Sequence, residues 1–154
     1  MAAWNEAQGN QIIQRHAGRE GALLPILHDI QGAFGHVPSE AVPAIAQALN
    51  LTRAEVHGVV TFYHDFRDRP AGRHVLKLCR AEACQSVDGE ALAEQVLAHF
   101  GIGWGGTTPD GRITIEATYC LGLCASGPSA LLDGEPIARL TPASIPEIAR
   151  EVGR

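Results

Sequence analysis

The four cysteines of this 154-residue chain fall in two tight pairs, Cys79-x4-Cys84 and Cys120-x3-Cys124. Each pair begins where an apolar, strand-like run gives way to a loop. The runs are HVLKLC, ending at Cys79, and RITIEATYC, ending at Cys120, and both carry the alternation and β-branched content of half-buried strands. Between them, residues 88–100 (DGEALAEQVLAHF) set Leu92, Val96, Leu97 and Phe100 on one helical face, with Gly101 as a C-terminal stop. A crossover of this length joins parallel strands in the right-handed sense, so the C-terminal ends of both strands share one sheet edge. All four sulfurs are expected to converge there.

Three chemistries suit four converging thiolates. A structural zinc ion favours two to four intervening residues, and this pattern is wide but permitted. A [2Fe-2S] cluster takes two thiolates per iron and spans more, which suits the four-residue gap of plant-type ferredoxins. The second pair, spaced by three, departs from that pattern, and the C-x2-C-x2-C run of bacterial [4Fe-4S] sites is missing. Disulfides within each pair are the third choice. The polar start MAAWNEAQGN lacks the basic and apolar regions of a secretory signal, so a cytoplasmic location with reduced thiols is expected, and the CxxC spacing of thioredoxin-type redox enzymes is absent.

The rest of the chain narrows the function classes. A formal charge of -5 offers no basic surface for nucleic acid or anionic lipid, and no apolar stretch has bilayer-spanning length. Neither nucleic-acid binding nor membrane insertion is expected. Seven histidines show no H-E-x-x-H pattern or clustered triad, and no serine sits in G-x-S-x-G. The loop GIGWGGTTPDG is too irregular for a phosphate-binding motif. Asn50-Leu51-Thr52 matches a glycosylation acceptor but reads better as a helix cap.

Organisation follows from periodicity and breakers. The first 66 residues read as helices: Leu23, Leu27, Ile30 and Phe34 form one face, and Val42, Ala46 and Leu49 form another. A third helix is announced by the capping-box pattern of Thr52 and Glu55, ahead of Val56, Val59, Val60 and Tyr63. Phe62, Tyr63 and Phe66 are expected in the core, with a partner interface as the competing use. The linker HDFRDRPAGR separates an N-terminal helical region, 1–70, from a second domain, 71–154. In the latter, SALL and EPIARL flank Asp133-Gly134 as a hairpin. A final helix enters at Thr141 or Ser144 and closes near Val152. The resulting order is β-α-β-β-β-α, an α/β fold.

The stretch CRAEAC…YCLGLCASGPSALLDGEPIARLTP resembles the thioredoxin-like [2Fe-2S] ferredoxin family, represented by the 24 kDa subunit of respiratory NADH dehydrogenase. The upstream segment FGHVPSEAVPAIAQALNLTRAEVHGVVTFYHDFR, with its GVxTFYxxF phrase, resembles that family's N-terminal helical region, so the likeness covers most of residues 20 to 150. In the cysteine loops, Arg80 and Glu82 (CRAEACQ) and Ala125, Ser126 and Gly127 look closest to the gamma subunit of soluble, molybdenum-containing NAD-dependent formate dehydrogenase.

The resemblance implies a thioredoxin-like domain preceded by a helical bundle, and one [2Fe-2S] cluster held by Cys79, Cys84, Cys120 and Cys124. It implies an electron-transfer subunit with no substrate site of its own. Its partners would be an FMN- and NAD-binding flavoprotein subunit and a larger molybdenum and iron-sulfur catalytic subunit. Equivalent subunits serve NADH:quinone oxidoreductase and NAD-reducing hydrogenase, and a zinc-stabilised adaptor is the remaining alternative. Gly122, Gly127 and Pro128 are expected to shape turns and to let backbone amides approach the sulfurs. Arg80 would favour reduction of such a cluster, and Glu82 would oppose it if turned toward it.

Overall fold

Thr52 starts its helix as T-x-x-E predicts: its hydroxyl accepts from the Glu55 N–H at 3.2 Å, and the Glu55 carboxylate accepts from the Thr52 N–H at 2.8 Å. A computed structural model describes residues 4–153. The chain divides into two compact units, Met1–Pro70 and Ala71–Arg154.

Among the described residues the first unit holds four helices: α1 (Glu6–His16), α2 (Leu23–Phe34), α3 (Ala41–Leu49) and α4 (Arg53–Phe62). Periodicity found the last three. The first carries little apolar signal beyond Ile12 and Ile13, which are both buried, and it is capped by Asn5, whose side chain accepts from the Gln8 N–H at 3.0 Å. These isoleucines pack with Ile26, Leu27, Ile30 and Phe34 of α2, and with residues of α3 and α4, into one core.

Two of the three aromatic residues expected in that core lie outside it. Phe66 is buried, but Phe62 is 73% and Tyr63 44% exposed. The buried side of α4 is set by Val56 and Val60, and at about 100° per residue Phe62 points some 200° away from Val60. The helix then stops. Tyr63 turns into extended backbone (φ -88°, ψ 111°), so the apolar stripe cannot be extrapolated to it.

The second unit is built on a four-stranded sheet of order β2-β1-β3-β4, comprising β1 (His74–Cys79), β2 (Ile113–Thr118), β3 (Ala130–Leu132) and β4 (Glu135–Ile137). Strands β1 and β2 are parallel and joined through α6 (Gly89–Phe100), as predicted, while β3 runs antiparallel to β1 and β4 to β3. Asp133 and Gly134 both have positive φ, 52° and 91°, which is the backbone of a two-residue type I′ hairpin turn. Helix α7 (Ser144–Glu151) closes the unit. Leu92, Ala93 and Val96 of α6 and Ile145 and Ile148 of α7 bury against Leu76, Leu78, Ile113 and Ile115 of the two central strands.

Two local features differ from expectation. Strand β2 stops at Thr118, two residues short of Cys120. A four-residue helix, α5 (Glu82–Gln85), occupies what reads in sequence as loop. Among the described residues no helix is long and apolar enough to cross a membrane.

Candidate metal centre

Cys79 is the last residue of β1 and stands in register with Thr118, the last residue of β2. The parallel ladder runs one step further, the Arg80 N–H donating to the Thr118 carbonyl at 2.8 Å. On the other side, the Cys79 N–H donates to the Ser129 carbonyl at 3.0 Å, just ahead of β3. The buried Cys79 is therefore flanked by the segments that carry Cys120 and Cys124. This is the shared sheet edge that the strand-helix-strand order predicts.

Helix α5 returns Cys84 to the same place. The Cys84 N–H donates to the Ala81 carbonyl at 2.9 Å, and the resulting turn buries the side chain, whose Sγ lies 3.6 Å from the Ser129 Oγ. Glycines keep this corner open. A Cβ on Gly89 would meet the Cys84 carbonyl carbon at 2.8 Å, and one on Gly127 would stand 3.5 Å from the Cys84 Sγ and 3.3 Å from Val87. The first methyl group would press on the residue that presents the sulfur, while the second would meet the Cys84 sulfur in ordinary contact and crowd Val87.

The second pair faces solvent. Cys120 takes a left-handed backbone (φ 66°), and Cys124 opens a short 3-10 turn, Cys124–Ser126. Their Sγ atoms are 3.6 Å apart. Two sulfurs bound tetrahedrally to one metal ion at about 2.3 Å lie about 3.7 Å apart, so this pair is spaced as two ligands of one metal. Among the described residues, no three His, Cys, Asp or Glu side chains close around a single ion.

Electrostatics separates the four thiols. Burial pushes the Cys79 thiol up, but the Ala81 N–H, the Cys84 side chain and the Cys120 and Leu121 N–H groups outweigh it and leave the thiol below its ordinary value. Cys124 moves the other way, raised by its hydrogen bond to Cys120, by the Cys120 charge, by burial and by the Cys84 and Cys79 charges. All four sulfurs thus feel one another. A bare set resists holding four negative charges, and a cationic centre among them relieves that repulsion while the amides around Cys79 already favour thiolate.

All four cysteines named from sequence are brought together, and several neighbours were not legible. Arg80 does not stand as a free positive charge: its Nε and a terminal nitrogen donate to the two Glu90 oxygens at 3.1 and 2.7 Å, and its guanidinium lies 4.9 Å over the Trp104 ring. Glu82 is exposed at the start of α5. Ser129, Gly89 and Val87 also border the site, and no spacing rule links Ser129 to Cys84, 45 residues away along the chain. The composition of the loop after Cys124 carries a signal for this corner through Gly127.

Comparison with known proteins gives a concordant result. The family model described as thioredoxin-like [2Fe-2S] ferredoxin matches residues 9–153. One NADH-quinone oxidoreductase subunit, from Mycobacterium tuberculosis, is 33% identical over 143 residues, covering 93% of this chain and 57% of that protein. Its counterpart from Escherichia coli is 37% identical over 127 residues, 82% of this chain and 76% of that one. Among solved structures, the crystal structure of an NAD+-reducing [NiFe]-hydrogenase in the air-oxidized state superposes with a TM-score of 0.74 at 28% identity, over 92% of this chain and 24% of that chain. This chain therefore spans little more than half of the mycobacterial relative and about a quarter of the hydrogenase polypeptide. With the family match over almost its whole length and donors that fit the cofactor, the chain belongs to the thioredoxin-like [2Fe-2S] ferredoxin family, whose members carry one [2Fe-2S] cluster.

Proposed function

We propose that this chain is a one-electron carrier subunit in which Cys79, Cys84, Cys120 and Cys124 ligate the cluster. The observation that supports this most is the convergence of four free thiols on one sheet edge, with backbone amides directed at the buried Cys79 sulfur. A [2Fe-2S] cluster bound there supplies one-electron chemistry. The chain's own residues hold and tune it. Cys79 and Cys84 provide buried sulfurs, with N–H groups and the Ser129 hydroxyl against them, while Cys120 and Cys124 lie exposed where an electron can be exchanged with a partner. Burial of the first pair excludes water, and exposure of the second shortens the path to a docked protein.

The subunit would work beside an FMN- and NAD-binding flavoprotein in a multi-subunit NAD-dependent oxidoreductase, in the cytoplasm where thiols stay reduced. The relatives' names speak of NADH-quinone oxidoreductase and NAD+-reducing hydrogenase. The loops CRAEACQ and CASG favour a narrower reading, a formate dehydrogenase with a larger molybdenum and iron-sulfur subunit that converts formate and NAD+ to CO2 and NADH.

Iron and acid-labile sulfide near two each per chain, with visible bands that bleach on dithionite, are expected of the anaerobically purified protein. About one zinc and no sulfide would replace the carrier with an adaptor. In the purified complex, Cys120→Ser should alter the reduced-state EPR signal, and an unchanged [2Fe-2S] signal would sink the ligand assignment. Purification of the tagged chain from its native host and assay of the assembly with formate, hydrogen and quinone identifies the parent complex.

A further inference from the structure

Arg80 follows the buried ligand Cys79, and its contacts draw together four separate segments around the metal centre. Its N–H extends the ladder to Thr118. Its carbonyl accepts from the Gln85 side chain at 2.7 Å, next to Cys84. Its guanidinium forks onto both oxygens of Glu90 in the first turn of α6 and lies over Trp104 in the loop before β2. Tyr119, adjacent to Cys120, acts electrostatically on the same group. A planar fork that is at once bidentate and stacked is held in a single orientation, which a lysine would not reproduce.

Resting on the four-cysteine ligation proposed above, we propose that Arg80 and Glu90 are positioning residues that act as a charge-neutral pair, setting the cluster's reduction potential by cancelling each other's field. Reduction adds one negative charge to the centre. An unpaired guanidinium on the residue that follows Cys79 favours that charge, and an unpaired Glu90 carboxylate, seated against the same group, opposes it. Together they largely cancel. The arrangement lets the sequence keep an arginine next to a ligand, where it clamps the loop of the first pair, without the rise in potential that its charge alone would bring. The pair is partly exposed, with side chains 29% and 42% accessible, so its fields are screened by salt.

The test is a redox titration of the cluster, followed by EPR, in the complete complex carrying Glu90→Gln, Arg80→Gln or both. Glu90→Gln should raise the midpoint potential and Arg80→Gln should lower it, and the double variant should return toward the unaltered value. Both single shifts should shrink as ionic strength rises. A purely structural role predicts loosening of the same loop by either change, hence shifts of the same sign; that result, or no shift at all, overturns the proposal. Should Arg80→Gln not retain a cluster, Glu90→Gln decides alone: an upward shift upholds the pair, and an unmoved or lowered potential overturns it. Absence of a [2Fe-2S] signal from the unaltered protein overturns the ligand reading and this inference together, whereas a normal signal with unmoved potentials overturns the pair only.

Discussion

The Oγ of Ser129 lies 3.6 Å from the Sγ of Cys84, and both residues are buried. A hydroxyl enclosed beside a sulfur has little choice of partner, and as the sulfur becomes a thiolate it becomes the natural acceptor of the O–H proton. Ser129 also provides the carbonyl that receives the Cys79 N–H. One residue ahead of β3 thus supports both cysteines of the first pair.

Ser129→Ala should leave the fold intact, since it removes one oxygen and keeps the backbone contact to Cys79. Loss of a hydrogen bond to a cluster sulfur disfavours the extra negative charge of the reduced state. The midpoint potential is expected to fall, with iron content unchanged. A redox titration of Ser129→Ala against the unaltered protein checks this, and an equal or higher potential would show that the hydroxyl does not donate to sulfur.

Gly89 gives a prediction whose sign departs from propensity. Ala in a helix is ordinarily favoured over Gly by about 1 kcal/mol. At this position the added Cβ would collide with the Cys84 carbonyl, a backbone atom with no room to yield unless α5 moves. Overpacking of this kind costs about 1–3 kcal/mol, so Gly89→Ala should be net destabilising and should reduce cluster retention as Cys84 is displaced. Thermal unfolding together with iron content per chain measures both. A stabilised variant with full iron would show that α5 adapts freely.

The two halves of the site were unequally legible, and the reason is physical. Strand alternation and helix periodicity are local, so HVLKLC and residues 88–100 revealed their elements, and chain topology then carried all four cysteines to one edge. The left-handed backbone at Cys120 and the fork from Arg80 to Glu90 leave no periodic trace in the sequence, and α5 is a single turn, too short to leave one. Capping at Thr52 was legible because the two partners are three residues apart. Phe62 was misplaced because a hydrophobic residue beside a stripe looks like part of it until the end of the helix is known.

Phe62 and Phe66 should therefore respond very differently to truncation. Phe66 is buried in the helical core, against the His28 ring at a centroid distance of 5.0 Å, and Phe66→Ala is expected to cost about 3–5 kcal/mol. Phe62, 73% exposed, should lose no more than about 0.5 kcal/mol. Denaturant unfolding of the two variants side by side settles the placement. Comparable losses would mean that Phe62 is covered in the folded protein.

The capping box ties stability of the helical unit to pH. The Glu55 carboxyl is held below its ordinary value of 4.5 by the Thr52 N–H, then by the Thr52 hydroxyl, with burial opposing weakly. Because the folded state prefers the carboxylate more than the unfolded state does, the unfolded state binds the proton more readily. This contribution is therefore fully present above the unfolded-state value and is lost as pH falls through the depressed folded-state value. Thr52→Ala removes the hydroxyl that caps the Glu55 N–H and should cost about 1 kcal/mol at neutral pH. It also weakens the hold on the carboxylate, so the difference in stability between Thr52→Ala and the unaltered chain should narrow as pH falls below the carboxyl's ordinary value of 4.5. Urea unfolding of both proteins from pH 7 down to the acid limit of the fold checks this. A constant gap across that range would mean that Thr52 stabilises the helix without the carboxylate.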